Sequence, residues 1–152
     1  MSTENLNVEI TQAVLHDIEN VHRIEQQSFS DCPYPLFVIR QFHDLFPNLF
    51  IVAREGDQIL GYALGGIGTD GCGWVLSLAV GREKRSQGIG RAVMDALLDQ
   101  FREKGVQALR LTVSPTNTNA LNLYHNVGFV DMGIRNDYYG DGDERLLMSL
   151  EF

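Results

Sequence analysis

The stretch that most constrains this chain is Trp74–Lys104, which joins an apolar run, a glycine-rich basic turn and a helical stripe. Trp74-Val75-Leu76-Ser77-Leu78-Ala79-Val80 is almost unbroken in its apolar character, which predicts a strand covered on both faces. From Ile89 the period changes to that of a helix. Ile89, Val93, Ala96, Leu97 and Phe101 share one stripe, with Arg91, Asp95, Asp99 and Arg102 opposite. Gly105 then suits a left-handed helix terminator.

The turn between them, Arg85-Ser86-Gln87-Gly88-Ile89-Gly90-Arg91, has the makings of an anion site. Glycines at alternate positions let backbone approach a ligand, and the first-turn N–H groups of a helix have no intrahelical partner. The positive end of the helix dipole adds to the attraction. Arg82, Lys84, Arg85 and Arg91 also place four of the chain's 12 basic residues here, although its net charge is -8. A phosphate group accounts for all of these features. The turn is not a P-loop, because no Lys-Ser/Thr pair follows the glycines. Nor is it a dinucleotide fingerprint, since Val93 occupies the place of the third glycine.

The remaining segments predict a β-α-α-β-β-β-α-β-α-β-β order, hence a mixed sheet with helices on its faces. Val8–Ala13 alternates as a first strand, and Asp17–Phe29 carries Ile18, Val21 and Ile24 at helical spacing. Pro35 suits the first turn of a second helix, and Pro47 stops it. Leu49–Arg54 and Gln58–Leu64 flank a hairpin turn, and Gly65–Gly73 reads as a glycine-dense loop. Leu109–Val113 is a strand, and Ala120, Leu123, Tyr124 and Val127 mark a short helix that Gly128 ends. Phe129–Ile134 and Arg145–Leu150 are the closing strands.

At 152 residues and 44% hydrophobic, the chain can bury one core, so residues 1–152 are expected to form one domain. The acidic balance argues against nucleic acid as a partner. No apolar run reaches the roughly 20 residues that span a bilayer, and no secretory signal is visible, so the expected location is cytoplasmic. Cys32 and Cys72 are isolated and read as reduced, buried or half-buried thiols. The four histidines lack ligand spacing, so no metal is expected.

A second motif identifies the chemistry. Asn117-Thr118-Asn119-Ala120-Leu121-Asn122-Leu123-Tyr124-His125-Asn126-Val127-Gly128-Phe129 fits N-x-x-A-x-x-L-Y-x-x-x-G-F, and it follows the R-x-x-G-x-G of residues 85–90. Together these motifs resemble the GNAT superfamily of N-acetyltransferases. Ile24-Glu25, Pro33-Tyr34 and the run Ile134–Tyr139 are most similar to its bacterial ribosomal-protein-alanine group. The resemblance implies an α/β fold with a splayed, mixed sheet of about seven strands and about four flanking helices. It implies acetyl-CoA as cosubstrate and a primary amine as acceptor, in a monomer or homodimer. Backbone groups of Leu78, Ala79 and Val80 would receive the pantetheine arm, and Asn117 would bond to it. Arg85, Ser86, Gln87, Gly88, Ile89, Gly90 and Arg91 would cradle the pyrophosphate. Tyr124 would be the catalytic acid that protonates the leaving thiolate.

The chain departs from the group at the base. Where the group commonly carries a glutamate, this chain has Thr112, whose hydroxyl is no general base near neutral pH. Glu25, or Ser77 with water, are the alternatives. An N-terminal α-amine, with a pKa of about 7.7–8.0, is the acceptor least dependent on a base; a lysine amine at about 10.4 depends on one more. Peptide or protein N-termini are therefore the first expectation. Small amines, or a catalytically weak CoA-binding module, are the alternatives. The acceptor walls are expected in Phe29–Leu36, Gly65–Gly73 and Asn136–Glu144.

Overall fold

The structure, a computed structural model, describes residues 7–85, 87–140 and 142–152. A seven-stranded sheet runs in the order β1-β2-β3-β4-β5-β7-β6. Its strands are β1 (Glu9–Gln12), β2 (Phe50–Glu55), β3 (Gln58–Ile67), β4 (Gly73–Val80), β5 (Ala108–Val113), β6 (Val130–Arg135) and β7 (Arg145–Glu151). Helices α1 (Ile18–Ser28) and α2 (Leu36–Leu45) cover one face, while α3 (Ile89–Glu103) and α4 (Thr118–Val127) cover the other. This is the mixed, helix-flanked sheet expected, in the expected element order. No described helix is long and apolar enough to cross a membrane.

Each face has its own core. Ile18, Val21, Ile24 and Ile39 from α1 and α2 pack on Phe50, Val52, Tyr62 and Leu64. Val93, Met94, Leu97 and Phe101 from α3 pack on Ile51, Ala53, Leu60, Ala63 and Leu111. The alternation along β2 thus feeds both cores, as the period of two requires. A nearly buried ion pair ties the strand-one side together: Arg54 Nη2 lies 2.6 Å from Asp17 Oδ2, and Arg54 Nη1 lies 3.1 Å from Oδ1.

Three sequence expectations need correction. The glycine-dense loop is shorter than Gly65–Gly73, because β3 continues to Ile67 and β4 begins at Gly73. These glycines make room for core side chains. A Cβ on Gly65 would sit 2.6 Å from Phe101 Cζ, and one on Gly73 would sit 2.4 Å from Leu109 Cδ2 and 2.8 Å from Phe101 Cε1. Secondly, β4 is not covered on both faces: Val75, Ser77 and Ala79 are buried, whereas Trp74, Leu76, Leu78 and Val80 are half-buried. Thirdly, Cys32 is exposed; Cys72 is half-buried, and both thiols are free.

Two irregularities in β4 open the sheet. Opposite β3 the register passes from Leu64↔Ser77 to Gly65↔Val75, so Leu76 is an extra residue, a β-bulge. On its other side β4 pairs with β5 only at Gly73↔Leu109 and Trp74↔Arg110. Beyond Trp74 the two parallel strands diverge and leave a wedge between them.

Candidate active site

The wedge exposes one edge of β4. Its Leu76 carbonyl accepts from the Tyr34 hydroxyl at 3.3 Å, and its Val80 carbonyl accepts from Arg85 Nε at 3.1 Å. Strand alternation turns the Leu78 amide and carbonyl the same way as those of Val80. An extended chain of amides laid into the wedge would find the backbone partners that β5 does not supply. Ala79 differs from Leu78 and Val80, because its side chain is buried in the α1–α2 core.

Just past β4, the glycine-rich turn delivers the N-terminus of α3. Gly88 has φ +82°, which requires glycine, and its carbonyl accepts the first helical bond from Ala92 at 3.1 Å. The N–H groups of Ile89, Gly90 and Arg91 stand ahead of that bond and point out of the helix. A Cβ on Gly90 would meet only ordinary contacts, at 3.5 Å or more from Leu123, Val80 and Leu78. Internal packing therefore does not require glycine at position 90, and the open backbone there suits an anion.

The side chains of the turn contribute less than the sequence suggested. Arg91 Nε is paired with Asp95 Oδ1 at 2.9 Å, and the Ile89 side chain is buried in the core. Arg85 reaches back to Val80 and to Ser28 Oγ at 3.2 Å, so it fixes the shape of the turn. Gln87 and Gly88 border a small apolar groove against Val8 and Ile10. Ser86 lies outside the described residues. Asn117 caps α4, its Oδ1 accepting from the Ala120 amide at 3.2 Å, which leaves its Nδ2 as the remaining donor.

Tyr124 projects from α4 into the core beside the wedge, its ring edge-on to Phe129 with centroids 5.9 Å apart. No described residue bonds its hydroxyl. Burial pushes the Tyr124 phenol up to about 12, and the Arg145 guanidinium opposes this only in part. The hydroxyl is therefore a proton held in reserve, not a phenolate.

Across the wedge, sequence reading missed a buried network on Glu25. One carboxylate oxygen of Glu25 accepts from the Tyr62 hydroxyl and from Ser77 Oγ at 2.8 Å, and the other accepts from the Tyr34 amide at 2.9 Å. Burial, and then the Glu25 charge, push the Tyr62 phenol well above its ordinary value. Glu25 is 2% exposed and fully engaged, so it locks α1, Tyr34, β3 and β4 together and is closed to an incoming amine. Tyr62 escaped notice because, in sequence, it is one more apolar residue in a central strand.

Thr112 sits at the opposite wall. Its Oγ1 lies 3.2 Å from the Tyr139 hydroxyl and 3.5 Å from Arg145 Nε, and the Arg145 guanidinium stacks 5.4 Å from the Tyr139 ring centre. Burial, with Tyr139 and Glu25 adding to it, pushes the nearby Tyr34 phenol up to about 12. The expected walls Phe29–Leu36 and Asn136–Glu144 thus flank the wedge, Tyr34 on its β4 side and Tyr139 on its β5 side. The third expected wall does not join them. The loop before Gly73 lies at the closed end of the wedge, where β4 and β5 are still paired.

Comparison with known proteins agrees with this geometry. The sequence profile described as "Acetyltransferase (GNAT) family" matches residues 15–129. An uncharacterised N-acetyltransferase of Methanocaldococcus jannaschii is 35% identical over 133 residues, covering 87% of this chain and 84% of that protein. The ribosomal protein bS18-alanine N-acetyltransferase of Escherichia coli is 37% identical over 71 residues, covering 47% of this chain and 48% of its own. Among solved structures, Ard1 from Thermoplasma volcanium superimposes with a TM-score of 0.89 at 29% identity, covering 96% of this chain and 98% of that one.

Proposed function

This chain belongs to the acetyltransferase (GNAT) family and is an acetyl-CoA-dependent N-acetyltransferase, and from that premise we propose that its acceptor is the α-amine of a peptide or protein N-terminus. The observation that carries this reading is the mouth of the wedge. Tyr34 bonds the β4 side at the Leu76 carbonyl and Tyr139 bonds the β5 side at Thr112, and neither Thr112 nor the sealed Glu25 offers a base there, which favours an acceptor that arrives neutral. The E. coli relative supports the reading by its name: alanine has no side-chain nitrogen, so the nitrogen acetylated there is an α-amine.

Acetyl-CoA supplies the activated acyl group. On our reading, the first-turn N–H groups of α3, with Gly88 and Gly90, hold the pyrophosphate, and the backbone of Leu78 and Val80 with Asn117 aligns the pantetheine arm, while Ala79, whose backbone is turned to Tyr62 of β3, keeps the strand in place. Such alignment converts a bimolecular encounter into a near-unimolecular one. As the amine nitrogen forms the C–N bond and the C–S bond breaks, Tyr124 would keep its proton until the sulfur departs and then donate it, and the proton shed by the new amide nitrogen would pass through water to restore the phenol. Thr112 provides no base, and Glu25 is sealed, so the amine must arrive neutral. An α-amine meets that condition near pH 8; a lysine side chain does not.

Release of free thiol from acetyl-CoA, measured across short peptides, polyamines and lysine derivatives blocked at the α-amine, tests the acceptor. Turnover should be confined to free α-amines and rise with pH through about 8. Turnover of polyamines or blocked lysine derivatives alone would overturn it. The anion site has a separate check. Gly90→Ala should weaken acetyl-CoA about tenfold or more, equal to one well-placed contact, while the melting temperature stays put, because the new methyl meets only ordinary contacts.

A further inference from the structure

Arg145 is a cation placed where acetyl transfer to an amine has no evident use for one. It opens β7, and its guanidinium lies against Thr112 and the Tyr139 ring, on the acceptor side of the wedge. Among the described residues, none of the ion pairs involves it. Its hydrogen bonds to Thr112 Oγ1 and to the Thr112 carbonyl are both 3.5 Å long, the weak end of the range. Arg145 is also directly opposite Arg135 in the β6–β7 register. Like charges in that relation destabilise a strand pair. Arg135 turns back to the carbonyls of Met132 and Ile134, each at 3.4 Å, which leaves Arg145 as the guanidinium facing the cleft.

We propose that Arg145 reads a carboxylate on the acceptor, so that the preferred substrate carries a carboxylate within about one residue of the reacting α-amine. This rests on the α-amine acceptor and narrows it. The guanidinium offers a planar fork of donors, which matches a carboxylate in geometry as well as sign. It also disfavours a second cation beside it, so the same residue keeps an arriving amine in its neutral form, the form that a site without a basic residue needs. The carboxylate has two possible sources with one chemistry: the side chain of an acidic second residue, or the α-carboxylate of a free amino acid.

The test compares kcat/KM for pentapeptides that begin with Ala and differ only in the second residue: Asp, Glu, Asn, Gln or Lys. Free alanine and aspartate are included. In the wild-type enzyme Asp and Glu should exceed Asn and Gln by about tenfold or more, the value of a charge-assisted hydrogen bond, with Lys lowest. In Arg145→Gln the ratio of acidic to amide peptides should fall to near one, and Arg145→Lys should retain part of it. Acetyl-CoA affinity, measured in parallel, should be unchanged in both variants. Faster turnover of free amino acids than of peptides would identify the α-carboxylate as the group that is read. Equal rates for acidic and amide peptides in the wild type together with free amino acids no faster than peptides, or a carboxylate preference that Arg145→Gln keeps in full, would overturn this inference and leave the N-terminal acceptor intact. No turnover of any α-amine would overturn that acceptor, and this inference with it.

Discussion

Tyr124→Phe should lower kcat by about a hundredfold or more, the usual contribution of a positioned acid, while acetyl-CoA binds as before. The structure makes this substitution unusually clean. The Tyr124 ring is held by burial and by Phe129, which phenylalanine reproduces, and no described residue loses a hydrogen bond with the hydroxyl. Stability should therefore hardly change, and the loss should appear in turnover. The pH profile carries a second signature. Burial pushes the phenol up to about 12, so the proton to be donated is present throughout the accessible range. Wild-type activity should then climb as the acceptor amine deprotonates, with no falling limb from Tyr124 below about pH 11. A descending limb near pH 9 or 10, or undiminished turnover in the variant, would remove Tyr124 from the acid role.

The largest expected effect on stability is at Arg54. Replacing it with Met leaves Asp17, whose side chain is 3% exposed, with the Val14 amide as its remaining described partner. Stranding one half of a buried ion pair costs about 3–5 kcal/mol. Asp17 sets the sign of the pH dependence. Burial raises its pKa, but the Arg54 and Val14 hydrogen bonds outweigh that and hold the carboxyl below its ordinary value. A depressed folded pKa stabilises the protein above the unfolded value of about 3.9, and that stability is lost as pH falls through the folded value. In Arg54→Met both Arg54 contributions are gone and only the Val14 hydrogen bond and His16 still oppose burial, so that carboxyl protonates at higher pH. The gap between wild type and variant should be widest at neutral pH and should narrow on acidification. Urea unfolding at pH 7 and pH 4 measures it; an equal gap at both would show that the ionised Asp17 is not the cause. Asp17→Asn in the Arg54→Met background should recover part of the loss.

The order of elements was legible because each announces itself locally. The helical stripe of α3, the prolines around α2 and the short alternating strands all encode their period in sequence. The glycine-rich turn and the Asn117–Phe129 motif were legible for the same reason: each is contiguous. The features that escaped are those the fold brings together from afar. Glu25, Tyr62 and Ser77 are separated by as many as 52 positions, and nothing in any one of them signals a shared hydrogen-bond network. Arg145 read as the first residue of a strand, and only the approach of Thr112 and Tyr139 gives it a chemical context. The extent of the glycine loop was misjudged for a related reason. Gly65 and Gly73 look like turn residues, yet their smallness answers to Phe101, which lies 36 and 28 positions further along the chain, and at Gly73 to Leu109 as well.

Keeping the two cores on opposite faces of one sheet has a consequence for how such a protein can change over generations. Tyr34 rides with α1 and α2, while the glycine-rich turn and Tyr124 ride with α3 and α4. Substitutions in one layer share few neighbours with those in the other, so their effects should largely add. A lineage can therefore revise the acceptor wall that carries Tyr34 without renegotiating how it holds the donor, whereas the wall that carries Arg145 shares its core with the donor side and has to change in step with it.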